Sequence, residues 1–328
     1  MATSRRFPWL VGIELECFSK DVISDQQFTK LNGLVNNVGC LTRELGIRQN
    51  ELVTNPYYVE KVQSTVHLLE KLIECLPEDL DLSFCAKDPK YVEGLPTNWV
   101  ETPRYNAMLN ALAREKPNDW KTVFEISKWC AAHINIGISP WSVEGLFIMN
   151  IINNVGPYIA SLTRKDFPES RGHLTVWTKW ADKNRLPSYS KQLYSSMEEF
   201  GFDFKGTKKL IKKINGSEYE VDLAETRSIH NPIDLGTHWI FCRPKISIKG
   251  EWYLEIRLLP SMSLEPLEFY VEEMLKGIEA ISNWSNEASN NNIISSNVSR
   301  AVDAASKKSK IFPPNLLSEE EWNTCFVQ

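Results

Sequence analysis

Acidic, basic and imidazole side chains recur at two-residue spacing in three short segments that lie far apart in the chain. The segments are 11–16, 132–138 and 252–258, and each alternates these side chains with apolar ones. In a β-strand, residues i and i+2 share a face, so Glu14 and Glu16 would project together, away from the core. Carboxylate oxygens are ligands that Mg²⁺ prefers. The spacing predicts strands whose polar faces bind cations and phosphates.

The acidic pair of the first segment is a candidate metal site. Gly12 shares the face of Glu14 and Glu16, and its missing side chain leaves room for a ligand. A lone acidic pair on a strand is more often a solvated surface. Glu51 supplies a third acid, for which a metal ligand and a surface acid before a turn are equally good interpretations.

His133 lies between two alanines and a run of isoleucines. A histidine in that setting is more often a core residue with its hydrogen bonds satisfied. Asn135, on the same strand face, and the nearby Gly137 favour a site instead. There the imidazole would bind Mn²⁺ or Mg²⁺, or hydrogen-bond to a nucleotide.

Glu255 and Arg257 place an anion and a cation on one face of the third segment. One interpretation is a structural salt bridge. The other is that Glu255 binds a metal and Arg257 binds a phosphate, because a guanidinium matches phosphate oxygens in a bidentate way. Arg243, on the preceding predicted strand, could join them.

Composition bounds the class of protein. The 328 residues are 42% hydrophobic and 24% charged, which is typical of a globular protein of one or two domains. A net charge of −5 gives no basic field for nucleic acid or an anionic membrane. The 7 cysteines lack CxxC spacing and indicate free thiols in a reducing compartment. With no long apolar run, the sequence predicts a cytoplasmic protein.

Periodicity and turn residues predict the elements that position these side chains. Strands are predicted over 9–18, 47–54, 82–86, 133–138, 239–243 and 251–259. Helices are predicted over 58–76, 105–117, 144–162 and 266–284, with a kink at Pro157. The irregular segment 165–204 is long enough to suggest a functional loop.

Several nucleotide and nucleophile motifs do not occur in the sequence. It contains no GxxxxGK[ST], GxGxxG or GxSxG, which excludes a P-loop, a Rossmann fingerprint and a nucleophile elbow. A metal-and-arginine site on a sheet remains. Such a site suits phosphoryl transfer, in which catalysis is positioning and charge neutralisation.

Seven short motifs occur in one order along the chain. They are GIELE at 12–16, QNELVTNP at 49–56, PRYNAM at 103–108, HINIGIS at 133–139, Ser170-Arg171, RPK at 243–245 and YLEIRLLP at 253–260. In this order they resemble the glutamate–cysteine ligase type 2 family of carboxylate–amine ligases. The resemblance runs from about residue 10 to about residue 280 and leaves the last stretch of the chain unassigned.

The resemblance implies an α+β fold like that of glutamine synthetase, with a curved antiparallel β-sheet and helices on its convex side. Residues 1–285 would form the catalytic domain and 286–328 a C-terminal extension. It also implies an ADP-forming ligase that uses ATP and Mg²⁺, with Mn²⁺ as an alternative. A substrate carboxylate, on an amino acid such as glutamate, would form an acyl phosphate that an amine converts to an amide.

Residue roles follow from the same resemblance. The implied metal ligands are Glu14, Glu16, Glu51 and Glu255; the implied nucleotide contacts are His133, Asn135 and Arg257; the implied catalytic cations are Arg257, Arg171 and Arg243. The chain departs from the family at Asn135, where a second histidine is common, so that histidine's role is lost or replaced.

Two other functions remain open from the sequence. The same fold could act on a peptide or nucleic-acid acceptor, since the segment 164–191 interleaves basic and aromatic residues. Alternatively, the chain could be a non-catalytic ligand-binding relative. Clustered acids repel one another without cations, which argues against the last alternative. Small-molecule amino-acid or peptide substrates are the predicted partners.

Overall fold

A computed structural model gives the arrangement of most of the chain. It describes residues 9–58, 64–90, 102–115, 125–138, 142–172, 174, 187–189, 193–205, 211–215, 218–221, 228, 230, 239–247, 249–288 and 294–327. The helices, strands and contacts named for this protein are those of these residues.

One antiparallel sheet contains all three of the alternating segments. The strands of the molecule are β1 (Leu10–Phe18), β2 (Gly39–Arg43), β3 (Gln49–Thr54), β4 (Tyr57–Tyr58), β5 (Ala131–Gly137), β6 (Ile211–Lys213), β7 (Tyr219–Val221), β8 (Cys242–Ile246) and β9 (Trp252–Pro260). The sheet has the order β2-β3-β1-β5-β9-β8, and β4 pairs with β1. β6 and β7 form a separate two-stranded sheet.

Helices cover the apolar face of the sheet. The helices of the described residues are α1 (Asp25–Val35), α2 (Ser64–Glu74), α3 (Pro103–Glu115), α4 (Val143–Asp166), α5 (Met197–Lys205), α6 (Leu264–Ala288), α7 (Ile294–Lys308) and α8 (Glu319–Val327). Of these, α3 contacts the separate sheet of β6 and β7. α2 packs on β1 and β3, α4 packs on β8 and β9, and α6 packs on both helices. The chain therefore has the predicted α+β fold class, with an antiparallel sheet and helices on one side.

The strand period determines which side chains form the core. On β1, Val11, Ile13 and Leu15 are completely buried in the same hydrophobic cluster as residues of α2, α4 and α6. Their neighbours Glu14 and Glu16 point to the other face, because side chains alternate along a strand. The burial of this apolar row fixes the register, since a slip of one residue would bury the acids in the core.

The observed elements differ from the predicted ones in three places. The predicted strand 82–86 makes one isolated bridge, between Ser83 and Phe18, and a second bridge follows between Lys87 and Trp129. The strand predicted over 239–243 lies at Cys242–Ile246; the apolar residues 239–241 before it are buried, and Phe241 O accepts the Arg257 N–H of β9. The helix predicted over 58–76 is shorter: β4 ends at residue 58, and 59–63 lie outside the described residues.

Other elements were missed because their sequence signals are weak. α1 begins with a capping box in which the Ser24 hydroxyl accepts the Gln27 N–H, but its apolar stripe is narrow. The strands β2, β4, β6 and β7 contain five residues or fewer. α4 continues through Pro157 to Asp166, beyond the predicted end at residue 162.

The C-terminal segment packs on the helical layer. α7 contacts α6, and α8 contacts α4. Val298, Val302, Phe312 and Trp322 are buried in the same hydrophobic cluster as the sheet. The division into residues 1–285 and 286–328 stays a prediction. Within the described part of the chain, the helices are too short or too polar to cross a membrane.

Candidate active site

The register of the sheet gathers the polar residues of five strands on the face opposite α2 and α4. Glu14 of β1 lies opposite His133 of β5, and Glu16 lies opposite Glu51 of β3. At the far edge, Arg243 of β8 lies opposite Glu255 of β9. Directly opposed side chains of an antiparallel pair share a face. The following side chains line one pocket: Glu14, Glu16, Glu51, His133, Arg243, Lys245, Glu255 and Arg257.

Glu14 is held by two neighbouring side chains on β5. His133 Nδ1 lies 3.1 Å from Glu14 Oε2, and Asn135 Nδ2 donates to Oε1 over 2.9 Å. Burial opposes ionisation of Glu14, but the Lys245 ammonium and the His133 hydrogen bond outweigh it and lower its pKa to about 2. Glu14 is therefore a carboxylate with both oxygens oriented.

His133 is almost fully buried, with 3% of its surface exposed. Burial and the nearby Arg257 lower its pKa, so the ring is neutral near pH 7. A carboxylate only accepts hydrogen bonds, so the proton on the ring belongs at Nδ1, facing Glu14. The buried Nε2 atom then carries a lone pair, and no described residue donates to it. A histidine oriented by a carboxylate, with its other nitrogen bare, has the arrangement of a metal-ligating histidine.

Glu16 and Glu51 form a second group, on the β3 side of His133. Glu16 Oε2 accepts the Ala131 N–H over 2.8 Å, and Glu51 Oε2 accepts the Thr42 hydroxyl over 2.8 Å. Burial raises the pKa of both acids well above the ordinary value, and neighbouring carboxylates raise it further. Three or more carboxylates packed this closely need protons or a cation to relieve their repulsion.

Glu255 lies in the opposite electrostatic environment. It is 1% exposed and accepts hydrogen bonds from Arg243 Nε, from Lys245 Nζ over 2.7 Å, and from Arg257 Nη1 over 3.0 Å. We call these three basic residues the cationic cluster. Burial opposes ionisation of Glu255, but the cationic cluster holds its pKa well below the ordinary value. Glu255 is thus a fixed anion that orients three cations.

The ligand atoms fall into two groups suited to a divalent ion. Glu14, His133 and Glu255 form one group, and Glu16, Glu51 and His133 form the other. In each group the candidate ligand atoms lie within 4.8 Å of one another. Oxygen ligands with one nitrogen suit Mg²⁺ or Mn²⁺. The bare Nε2 of His133 and the raised pKa values of Glu16 and Glu51 are the features expected of residues that fit such an ion.

Two predicted site residues occupy other positions. Asn135 does not line the pocket and instead supports Glu14 from the side. Arg171 is exposed in the 3₁₀ turn Pro168–Gly172, directly after α4, and is not among the lining residues. The nearby Leu174 does line the pocket. Most of the aromatic and basic segment 164–191 beyond this turn lies outside the described residues.

Sequence reasoning missed several polar residues of the pocket. Lys245 shares a strand face with Arg243, so the two-residue period could have found it. Gln49 has the same relation to Glu51. Glu44 comes from the connection between β2 and β3, where no periodicity exists; it accepts a hydrogen bond from the Tyr105 hydroxyl over 3.1 Å. Only the packing of α3 beside that connection reveals Glu44.

Comparison with known proteins gives structural matches only. The sequence matches no protein-family model and no curated protein sequence.

The chain is structurally similar to a bifunctional glutathione synthetase from Pasteurella multocida, with a TM-score of 0.42 and 14% identity over 98% of this chain and 48% of that one. It thus spans about half the length of that protein. It is similar to a glutamate–cysteine ligase from Francisella tularensis in complex with AMP, with a TM-score of 0.42 and 12% identity over 97% of this chain and 80% of that one. A glutamine synthase homologue matches with a TM-score of 0.39 and 10% identity over 97% of this chain and 65% of that one.

Proposed function

We propose that this protein is an ATP- and Mg²⁺-dependent ligase that joins a carboxylate to an amine and releases ADP and phosphate. The observation that carries the proposal is the single sheet face on which Glu14, Glu16, Glu51 and His133 lie beside the cationic cluster. Anionic ligands for a divalent ion and cations for phosphate are the two requirements of phosphoryl transfer. The order of the sequence motifs supports the same reaction class.

The acidic residues and the histidine would hold the metal. Glu16 with Glu51 would form one site and Glu14 with Glu255 the other, and His133 would serve one of the two through its single bare nitrogen, Nε2. Bound Mg²⁺ would neutralise charge on the phosphates of ATP and orient them. Asn135 and the Nδ1 proton of His133 would keep the Glu14 carboxylate in place. Use of Glu255 as a ligand would require exchange of one of its three present hydrogen bonds.

The cationic cluster would bind the phosphate that is transferred. Arg257 Nη1 and Lys245 Nζ already meet at the Glu255 carboxylate, and both side chains line the same pocket. A guanidinium that is fixed before the substrate binds stabilises developing charge without reorganisation. Arg243 would contribute a third cation, and Arg171 stays a proposal for the substrate carboxylate.

The substrates would be small. An amino acid such as glutamate would supply the carboxylate, which would attack the γ-phosphorus and displace ADP to give an acyl phosphate. The amine would then attack the carbonyl carbon, release phosphate and form the amide. A cytoplasmic location, with ATP and Mg²⁺ at hand, suits this reaction.

The deciding experiment is ATP consumption with Mg²⁺ across a panel of amino acids and short peptides, scoring ADP and AMP separately. ADP and phosphate that appear only with a particular carboxylate–amine pair are the expected result. Glu14→Gln should abolish that turnover, while Glu279→Gln, at an exposed position of α6, should leave it unchanged. AMP and pyrophosphate would overturn the acyl-phosphate mechanism, and ATP binding without stimulation by any pair would favour a macromolecular acceptor.

A further inference from the structure

The strand that carries Arg243 lies at the edge of the sheet. Among the strands described, β8 pairs with β9 alone. Phe241 O accepts the Arg257 N–H over 2.8 Å, which sets the phase of the ladder between the two strands. In an antiparallel pair, alternate residues turn their N–H and C=O groups outward. The outward groups on β8 therefore include both main-chain groups of Cys242, the residue directly before Arg243.

A side chain of α4 pairs with both of these outward groups. Asn153 Nδ2 donates to Cys242 O over 2.9 Å, and the Cys242 N–H donates to Asn153 Oδ1 over 2.9 Å. Both residues are buried, Asn153 with 3% and Cys242 with 0% of its surface exposed. The planar amide thus takes the place of a further strand. Two hydrogen bonds in one plane fix the main chain of Cys242 more tightly than a single contact would.

The position of Arg243 depends on that main chain. Its side chain is 4% exposed and donates through Nε to Glu255, so little rotamer freedom remains to compensate for a backbone shift. Because Glu255 also orients Lys245 and Arg257, movement of Arg243 would disturb the whole cationic cluster. Asn153 is itself anchored, since Trp322 Nε1 of α8 donates to its main-chain oxygen over 3.2 Å.

We infer that Asn153 is a positioning residue: by holding the main chain of Cys242 it fixes Arg243 on Glu255 and so preorganises the cationic cluster for phosphate. The last step of this inference rests on the proposed function, whereas the control of Arg243 by Asn153 does not. No contact of Asn153 with substrate is involved.

The chain offers a matched control on the same helix. Asn150 makes the same two-bond pairing with the main chain of Tyr194, over 2.7 and 3.1 Å, and is 1% exposed. Tyr194 does not line the pocket. Asn150→Ala should therefore lose a similar pair of buried hydrogen bonds without moving β8.

The first measurement is the NMR signal of the Arg243 Nε–H group, assigned by its absence in Arg243→Lys. Its slow exchange with water reports the buried contact with Glu255 and requires no ligand. Asn153→Ala should accelerate that exchange at least about tenfold. Asn153→Asp keeps the acceptor but loses the donor, so its exchange rate should lie between those of the wild type and Asn153→Ala. Asn150→Ala should leave it unchanged. Unchanged exchange in both Asn153 variants, or equal acceleration in Asn150→Ala, would overturn the inference.

The second measurement is the dissociation constant of Mg-ATP by titration calorimetry. Asn153→Ala should weaken binding about tenfold or more, as loss of a supporting residue does at metal sites, and Asn150→Ala should not. If the wild-type protein bound no Mg-ATP, the proposed function would fail, and the Arg243 signal would still decide whether Asn153 positions it. Normal Mg-ATP affinity in Asn153→Ala would refute the link to phosphate binding.

Discussion

At the scale of single residues, the site separates two kinds of buried carboxylate. Glu51 has Glu16 directly opposite, and the His133 ring, with Nδ1 4.0 Å from Glu51 Oε1, is neutral and supplies no counter-charge. Glu255 instead meets three cations. Both are buried glutamates on strands of the same sheet, so their neighbours alone decide whether the negative charge destabilises or stabilises the fold. The same substitution should therefore have opposite effects at the two positions.

Glu51→Gln should raise the stability of the metal-free protein. Burial and neighbouring carboxylates raise the pKa of Glu51, so the folded state holds a proton more tightly than the unfolded chain and loses stability as the pH rises above 4.5. A neutral amide removes that loss and can still accept the Thr42 hydrogen bond. We expect a gain of about 1 kcal/mol at neutral pH, the scale of a like-charge cross-strand pair.

Urea unfolding at several pH values measures this gain. It should vanish below pH 4.5, where Glu51 is protonated in both states, and Mn²⁺ affinity measured by electron paramagnetic resonance should fall in the same variant. Glu279→Gln serves as the exposed control. A destabilised Glu51→Gln protein at neutral pH would contradict the electrostatic account.

Glu255→Gln should destabilise the fold. It would leave the cationic cluster buried around a neutral amide, and removal of one partner from a buried ion pair costs about 3 kcal/mol or more. The pKa of Glu255 is lower in the folded protein than in the unfolded chain, so its ion pairs stabilise the fold above the ordinary pKa of 4.5. This stabilisation is lost as the pH falls towards the pKa of Glu255 in the folded state. Thermal unfolding at neutral pH measures the effect, and a melting temperature equal to that of the wild type would refute it.

At the scale of elements, β2 and β3 must approach closely for the Thr42 hydroxyl of β2 to reach Glu51 of β3. Gly39 of β2 makes this approach possible, because a Cβ atom there would lie 2.0 Å from the Val53 carbonyl oxygen. Main-chain atoms cannot move aside as a flexible side chain can. β2 therefore depends on a glycine whose importance only the strand pairing reveals.

Gly39→Ala should displace β2 from β3 and lower stability by about 1–3 kcal/mol, the usual cost of an overpacked site. Gly33→Ala is the matched control, since nothing lies within 4 Å of the added carbon and alanine favours the helix by about 0.5–1 kcal/mol. Chemical denaturation of the two variants should give shifts of opposite sign. Equal shifts would show that the close approach at Gly39 imposes no constraint.

At the scale of the whole molecule, the C-terminal helices complete the core behind the site. Trp322 of α8 is 2% exposed and packs on Phe241 and Phe326, with ring centroids 6.1 and 5.1 Å away. Phe241 and Phe326 also line the pocket. The last helix is therefore connected to the site through one aromatic cluster.

Trp322→Ala should cost about 3–5 kcal/mol, as expected for truncation of a large buried aromatic residue. Because the cluster is continuous with the sheet, calorimetry should still show one transition, at a lower temperature. Trp322→Phe keeps an aromatic ring and should lose about 1 kcal/mol, for the hydrogen bond to Asn153. A separate early transition in Trp322→Ala would indicate that the C-terminal segment folds as an independent unit.

The sequence by itself determined three strands of the site, β1, β5 and β9, and the face that each of their side chains takes. Burial of Val11, Ile13 and Leu15 forces Glu14 and Glu16 to the opposite side, and the same period acts in β5 and β9. These are local consequences of a two-residue repeat, and they need no knowledge of the partner strands.

Only the tertiary structure decided which of these residues meet. The strand order places β5 beside β1, so Glu14 receives His133 and Asn135, and places β8 beside β9, so Glu255 receives the cationic cluster. Arg171 was placed in the site because of the order of the sequence motifs, but it lies exposed after α4. Glu44 lines the pocket, although it comes from a connection between strands that has no periodicity. Pairing between distant strands and the packing of loops depend on long-range contacts, whose energies no local pattern in the sequence encodes.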